Sequence, residues 1–176
     1  MEKAILGGGC FWCLDTIFRR LKGVESVVSG YTGGHATDPD YRSVCEGLTG
    51  HAEVVEIMYD PSQIRYADLL EIFFAIHDPT TLNRQGYDTG TQYRSSIFTT
   101  DAAQEAEARH YVAQLEAKKI FDAPIVTQIS PAGSFYPAEE EHQDYFERHG
   151  SAPYCRIVIA PKVRKFLEIF QNKLKS

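Results

Sequence analysis

The sequence lacks any apolar run close to the roughly 20 residues that a membrane-spanning helix requires. Glu2 and Lys3 are followed too soon by glycines for the apolar core of a secretory leader. Basic residues are outnumbered, with 18 Lys and Arg against 24 Asp and Glu and a formal net charge of -6. Nucleic-acid surfaces depend on clustered Lys and Arg. We therefore expect a cytoplasmic protein that binds neither nucleic acid nor a membrane.

Cysteine is scarce too, with four residues in a chain of 176. Four thiols are too few for a disulfide scaffold, so their neighbours decide between structural, metal-binding and redox roles. Cys45, which lies between Val44 and Glu46, is expected to pack as a small apolar residue. The balance of 43% hydrophobic and 24% charged residues is typical of a folded chain, and its length predicts a single domain over residues 1–176.

Short apolar runs and helical periodicities are interleaved along the chain. Strands are predicted at residues 3–6, 24–31, 52–59, 94–100, 125–129 and 156–159. Helices are predicted at residues 11–21, 66–76, 101–119, 137–150 and 163–174. Polar, Gly-containing segments predict loops at 32–40 and 77–94. Because the elements do not alternate as in a doubly wound sheet, the pattern favours an α+β fold, a two-layer sandwich with a central mixed sheet flanked by helices.

The segment GGGCFWC at residues 7–13 lies between the first predicted strand and helix. Cys10 is thus expected at a helix N-terminus, where free N–H groups and the helix dipole stabilise a thiolate. Phe11 and Trp12 are either ordinary core residues or an apolar wall that receives a methyl group beside this nucleophile. Cys13 completes a CxxC motif that resembles a redox pair.

The CxxC motif leaves two other functions open. A thioredoxin-like dithiol oxidoreductase would use Cys10 and Cys13 to exchange protein disulfides, and Cys13→Ser would abolish its activity. A zinc-binding module would need histidine ligands from elsewhere, because the sequence has no second CxxC and no HExxH. We expect neither a bound metal nor a bound cofactor.

Candidate polar groups lie farther along the chain. Glu53 is either buried among its apolar neighbours and protonated, or ionised on the polar face of a strand, and the pattern alone favours the ionised form. Tyr41, Asp88 and Tyr93 fall in loops or at loop edges, where they either contact a polar substrate atom or hold the loops in place. His142 is expected to be structural or to support the site from behind.

Six short motifs follow one another in a fixed order: Gly9-Cys10-Phe11-Trp12, Gly50-His51-Ala52-Glu53, His77-Asp78-Pro79-Thr80, Gln85-Gly86, Gly90-Thr91-Gln92-Tyr93-Arg94-Ser95 and Glu141-His142-Gln143. With them the chain resembles the peptide methionine sulfoxide reductase A family over nearly its whole length. The resemblance implies a thiol enzyme that reduces the S epimer of methionine sulfoxide, peptide-bound or free, and so repairs oxidised proteins.

The resemblance also implies roles for individual residues. It places the nucleophile at Cys10, the methyl-binding aromatics at Phe11 and Trp12, the acid at Glu53 and the polar substrate contacts at Tyr41, Asp88 and Tyr93, with His142 beside them. It implies that Cys10 becomes a sulfenic acid, which condenses with a second thiol to form a disulfide. Thioredoxin, as the external reductant and partner, would then reduce this disulfide.

The second thiol is either Cys155 or Cys13. Many members of the family carry a recycling cysteine in a mobile Gly-rich tail, and Tyr154-Cys155 occupies a similar place. Here residues 156–159 predict a strand, which would hold Cys155 firmly. We favour Cys155 as the resolving thiol, because a rigid CxxC does not guarantee that Cys13 reaches Cys10, and Cys13 stays the alternative.

Overall fold

The computed structural model describes residues 1–175. In chain order its elements are β1 (Glu2–Gly7), α1 (Phe11–Phe18), β2 (Val24–Thr32), α2 (Tyr41–Cys45), β3 (Ala52–Tyr59), α3 (Tyr66–Ile76), β4 (Arg84–Gln85), β5 (Asp88–Thr89), β6 (Ser96–Thr99), α4 (Ala102–Ala117), β7 (Gln128–Pro131), β8 (Tyr136–Pro137), α5 (Tyr145–His149) and α6 (Ala160–Ile169). No helix within this stretch combines the length and apolar character needed to cross a membrane.

A six-stranded sheet has the order β7-β6-β1-β3-β2-β8, while β4 and β5 form a separate two-stranded pair. All neighbouring strands of the large sheet run antiparallel except β6 and β7, which are parallel. The sheet is therefore mixed, and helices pack against it. This confirms the predicted α+β class.

Strand β3 divides the core between the two faces of the sheet, because successive side chains of a strand point to opposite faces. Val55 and Ile57 belong to the large apolar cluster formed with α1 and α3. Val54 belongs to a smaller cluster on the other side with Ile5 and Phe98. By the same alternation, Glu53 shares the face of Val55 and Ile57. An acidic side chain is thus directed to the helix-covered face of the sheet.

Several elements match the sequence-based prediction closely. Helix α3 has the predicted bounds, and α4 begins after Asp101, whose carboxylate accepts a hydrogen bond from Gln104 N–H at 2.8 Å. Helix α1 is shorter than predicted, because Leu21 leaves the helix and forms a β-bridge with Leu174. The predicted strand at 125–129 overlaps only partly with β7.

The predicted helix from 137 to 150 is wrong over most of its length. Pro137 instead pairs with Gly30 as part of the edge strand β8, a position that tolerates the missing N–H of proline. A single 3-10 turn at Glu140–His142 and the short helix α5 follow. Glu139, one of the glutamates that suggested a helix start, instead accepts hydrogen bonds from Tyr31 Oη and the Tyr41 N–H.

The predicted strand at 156–159 is also wrong. Residues Cys155–Ile159 form a π-helical turn that continues directly into α6. Cys155 and Ile159 are buried, whereas Ile157 is 73% exposed. This one-sided burial continues with Val163 in α6, so helical amphipathicity overrides the β-propensity of an Ile-Val-Ile run.

Candidate active site

The turn between β1 and α1 places Cys10 at the N-terminus of the helix, as predicted. Gly9 has φ +87°, and a Cβ there would lie 2.7 Å from Gln85 Cγ. A Cβ on Gly8 would lie 3.0 Å from the ring of His77. Only glycines allow the chain to approach its neighbours this closely. The result is a tightly fixed backbone just before the thiol.

His77, the first residue of the His77-Asp78-Pro79-Thr80 motif, packs against Gly8 in this turn. Its Nδ1 lies 2.5 Å from Phe73 O and its Nε2 lies 2.8 Å from Ser95 Oγ. Burial lowers the pKa of His77 to about 4, so the imidazole is neutral at pH 7. We assign it a structural role in fixing the Gly8 backbone.

Glu53 binds the N-terminus of helix α1, at the residue that follows Cys10. Its Oε1 accepts a hydrogen bond from Phe11 N–H at 3.1 Å, while its buried Oε2 has no hydrogen-bond partner among residues 1–175. Burial raises the pKa of Glu53 to about 8, and the negative charge of Asp88 adds to the effect. The carboxyl is therefore protonated at pH 7. The interpretation of Glu53 as an ionised residue on a polar strand face is wrong, because its face of β3 is covered by helices.

This pKa predicts a pH dependence of stability. The pKa of Glu53 is 4.5 in the unfolded chain and about 8 in the folded protein. At pH values between these two, Glu53 keeps its proton in the folded protein and has lost it in the unfolded chain. The stabilisation is complete below pH 4.5 and is lost as the pH rises through 8. At about 1.4 kcal/mol per pKa unit, the loss is on the order of 5 kcal/mol.

The Glu53→Gln variant removes the titrating group and keeps its shape, so its free energy of unfolding should fall less steeply than that of the wild type from pH 5 to 8. Denaturant titrations at several pH values measure the difference. Glu56→Gln, on the same strand and beside Lys3, serves as the control and should follow the wild type. Parallel curves for wild type and Glu53→Gln would contradict a protonated Glu53.

The expectation that Cys10 is a thiolate at the helix terminus is wrong for this structure. Burial raises the pKa of Cys10 well above its usual range, and Glu53 and Cys13 raise it further when they are themselves ionised at alkaline pH. Only a hydrogen bond from the backbone of Trp12 acts in the opposite direction. The Phe11 N–H, which would also stabilise a thiolate, is already bound to Glu53. The thiol therefore keeps its proton beside a protonated carboxyl.

Aromatic rings line one side of Cys10. Phe11 is fully buried, and its ring centroid lies 6.2 Å from that of Tyr41. Trp12 donates a hydrogen bond from Nε1 to His142 Nδ1 at 3.3 Å and stacks on Tyr145 at 3.8 Å. His142 also stacks on Tyr41 at 4.2 Å. These rings form one aromatic cluster, in which Phe11 also belongs to the main core, and the role of Phe11 and Trp12 in receiving a methyl group stays a prediction.

Tyrosine hydroxyls lie on the side of Glu53. Burial raises the pKa of both Tyr41 and Tyr93, and Glu53 raises it further at the alkaline pH where phenols ionise and Glu53 is charged, so both phenols stay protonated donors at pH 7. Cys45 lies beside the same two hydroxyls, which lower the pKa of its thiol against the effect of burial. The expectation that Cys45 packs as an apolar residue is wrong, because its thiol faces polar groups and is only partly buried.

Asp88 belongs to the small β4–β5 pair and also reaches the site. Its Oδ2 accepts a hydrogen bond from Tyr154 Oη at 2.7 Å, and its charge raises the pKa of Glu53 and Cys10. Tyr154 also lies edge-on to Trp12, with ring centroids 5.8 Å apart. The sequence placed Tyr154 near a thiol but gave no sign of its contact with Asp88.

Neither candidate resolving thiol is exposed. All four cysteines are free, and Cys13 and Cys155 are 4% and 0% exposed. Burial raises the pKa of Cys13 to about 11, and Cys10 and Cys155 each interact electrostatically with Cys13. Cys13 therefore lies near both of the other two thiols. The structure brings Cys10, Glu53, the aromatic cluster, Asp88 and the tyrosines together, whereas Cys155 is fully buried.

Sequence reasoning missed Glu139 and Tyr145. The Glu139 carboxylate joins Tyr31 Oη at 3.1 Å to the Tyr41 N–H at 3.0 Å and so fixes the start of α2. Within the described part of the chain, the group of neighbouring metal-ligand types is Glu139, Glu141 and His142. It contains no cysteine, and two hydrogen bonds already engage Glu139. The cysteine-based zinc module therefore gains no support from the arrangement.

Known proteins that are similar to this chain in sequence and fold belong to one family. The family model described as peptide methionine sulfoxide reductase matches residues 2–174. The chain is 59% identical to a peptide methionine sulfoxide reductase MsrA of Chromobacterium violaceum, with 100% of both chains covered. Its fold is similar to the crystal structure of Mxr1 from Saccharomyces cerevisiae in reduced form, with TM-score 0.80, 35% identity and 88% of each chain covered. It is also similar to Mxr1 in complex with Trx2, with TM-score 0.56, 26% identity and coverage of 82% and 84%.

Proposed function

The chain belongs to the peptide methionine sulfoxide reductase family, and from this premise we propose that Cys10 and Glu53 together reduce the S epimer of methionine sulfoxide. The enzyme is a thiol-dependent reductase that converts methionine sulfoxide to methionine and is recycled by thioredoxin. Oxidised proteins or free methionine sulfoxide are its substrates. Its biological role as we propose it is protein repair under oxidative stress.

The unpartnered Oε2 of Glu53 is the observation that carries the proposal. A protonated carboxyl with one oxygen bound to Phe11 N–H has its O–H free to donate. A buried donor without a partner is costly, and a sulfoxide oxygen is a strong acceptor. Tyr41 and Tyr93 supply further donors on the same side. Together they stabilise the charge that develops on the oxygen as its bond to sulfur breaks.

The reaction balances within these groups. The Cys10 sulfur attacks the sulfoxide sulfur while Glu53 protonates the sulfoxide oxygen, and the proton of the Cys10 thiol restores the acid. The substrate sulfur gains the two electrons that the Cys10 sulfur loses, and the oxygen ends on Cys10 as a sulfenic acid. Methionine leaves. A second thiol then forms a disulfide with Cys10 and releases water, and thioredoxin dithiol reduces the disulfide.

The arrangement of the site supports selectivity for one sulfoxide epimer. A sulfoxide sulfur carries a methyl group, an oxygen, the rest of the methionine side chain and a lone pair. The methyl fits the apolar side formed by Phe11 and Trp12, and the oxygen fits the donor side formed by Glu53. Exchange of the two groups would place an oxygen in an apolar pocket and a methyl against donors, which costs several kcal/mol.

The resolving thiol is tested by one turnover without reductant. We propose Cys155, with Cys13 as the alternative, and expect wild-type protein to release one methionine and then carry a Cys10–Cys155 disulfide. Mass spectrometry of the digested protein identifies the pair. Methionine release should survive in Cys155→Ser, where dimedone should trap the sulfenic acid on Cys10. A Cys10–Cys13 disulfide in the wild type would assign the role to Cys13 instead.

We propose that residues 1–176 act as one catalytic domain and that the protein is cytoplasmic, where a thiol-reducing environment keeps four free cysteines reduced. We also propose that no metal or cofactor is needed, since the sulfur chemistry is complete with the cysteines, Glu53 and thioredoxin.

A further inference from the structure

A C-terminal segment, residues 145–155, lies across the substrate-binding groups. Tyr145 stacks on Trp12 with 9° between the ring planes, and Tyr154 meets the same indole edge-on at 76°. Tyr154 Oη also donates to Asp88 Oδ2 at 2.7 Å. Under this cover Cys10 is only 7% exposed. A substrate side chain therefore reaches the thiol only if part of this segment moves.

The Tyr154–Asp88 hydrogen bond occupies a carboxylate that we expect to contact the substrate. Asp88 is an acceptor, and the donors that a methionine residue offers are its backbone amides. A hydrogen bond to a carboxylate is stronger than one between neutral groups, so the amide and the Tyr154 hydroxyl compete for similar stabilisation. The ring of Tyr154 also occupies space beside Trp12, where the methyl group is expected.

Tyr154 is covalently next to Cys155, which is fully buried and begins a π-helical turn. Such turns are rare and often occur at functional sites. Cys155 is a free thiol and is not bonded to Cys10, so its sulfur must leave this buried position before the two form a disulfide. Substrate entry and Cys155 release thus share one step, the loss of the hydrogen bond between Tyr154 and Asp88.

We propose that Tyr154 is a positioning residue that couples substrate binding at Asp88 to the release of Cys155. The substrate amide replaces the Tyr154 hydroxyl on Asp88, and the freed segment carries Cys155 toward Cys10. The resolving thiol is then mobile only when a substrate is bound. This inference rests on the proposed function and adds to it how the buried thiol is set free.

The experiment uses a Cys10→Ser, Cys13→Ser, Cys45→Ser triple variant, in which Cys155 is the single remaining thiol and a sulfoxide is bound without turnover. The rate of Cys155 alkylation by iodoacetamide is measured with and without N-acetyl-methionine sulfoxide methylamide. We expect the compound to accelerate alkylation about tenfold or more, the size expected for loss of a hydrogen bond to a charged group. Dimethyl sulfoxide, which has no amide donor, should give no acceleration.

Adding Tyr154→Phe to the triple variant should make alkylation fast without the compound. Tyr111→Phe on α4, remote from Asp88, is the matched control and should keep the compound dependence. With all cysteines present, Tyr154→Phe should lower KM for the peptide and leave the single-turnover rate at saturation unchanged.

Unchanged alkylation of Cys155, although Trp12 fluorescence reports that the compound binds, would overturn the coupling. A rise in KM in Tyr154→Phe would do so as well. Both outcomes are distinct from a failure of the proposed function, which would appear as wild-type protein that does not reduce the sulfoxide at all.

Discussion

Replacing Cys10 by serine is expected to lower methionine sulfoxide reduction by more than about 10⁴-fold, because an enzyme that loses its nucleophile keeps only the contribution of binding and polarisation. A serine oxygen does not take up the sulfoxide oxygen, so no sulfenic acid forms. Methionine released from a sulfoxide peptide in a single turnover, measured by chromatography, is the direct readout.

The Cys10→Ser variant should fold and still bind the substrate, since a thiol and a hydroxyl differ little in size. Thermal unfolding and quenching of Trp12 fluorescence by the peptide check both points. Residual reduction in Cys10→Ser within tenfold of the wild type would reject Cys10 as the nucleophile.

The same assay separates the reductase from a dithiol oxidoreductase. Cys13→Ser should still release one methionine per protein, because Cys13 takes no part in the first step. An oxidoreductase acting on protein disulfides would instead lose all activity in this variant. Loss of methionine release in Cys13→Ser, together with its survival in Cys10→Ser, would favour the oxidoreductase.

Glu53→Gln is expected to slow methionine release by about 10²- to 10³-fold, the usual contribution of a general acid. Glutamine keeps the shape and the hydrogen bond to Phe11 N–H but gives up no proton. In the wild type, kcat/KM should fall as the pH rises above about 8, where Glu53 loses its proton. This decrease of kcat/KM above pH 8 should be absent in Glu53→Gln.

Glu56→Gln is the matched control for the kinetics. Residue 56 lies on the same strand, is partly exposed and pairs with Lys3, and its substitution should change neither the rate nor the pH profile. Equal rates for Glu53→Gln and the wild type at pH 7 would show that the acid lies elsewhere.

The sequence predicted the regular elements best where one local signal was strong. Helix α3 and strand β3 carry dense apolar patterns and were found with the predicted bounds or nearly so. It failed at residues 137–150, where Pro137 entered an edge strand, and at residues 156–159, where an Ile-Val-Ile run became helical. Pairing with Gly30, distant in the chain, decided the first conformation, and burial of one helical face decided the second.

The sequence indicated where Cys10 lies but not the protonation state of its thiol. Its glycine turn and helix start could be read locally, but its pKa could not. The pKa depends on burial and on Glu53, which is 43 positions away in the sequence and whose bond to Phe11 spans 42 positions. The helix N–H that suggested a thiolate belongs to the carboxyl instead.

By itself the sequence determined the family and the residue types of the candidate site, because a short ordered set of motifs is specific to one family. Only the tertiary structure decided the protonation of Glu53, the polar surroundings of Cys45 and the contact of Tyr154 with Asp88. The physical reason is that desolvation and hydrogen bonding depend on which distant side chains surround a group, and residue order alone does not fix those distances.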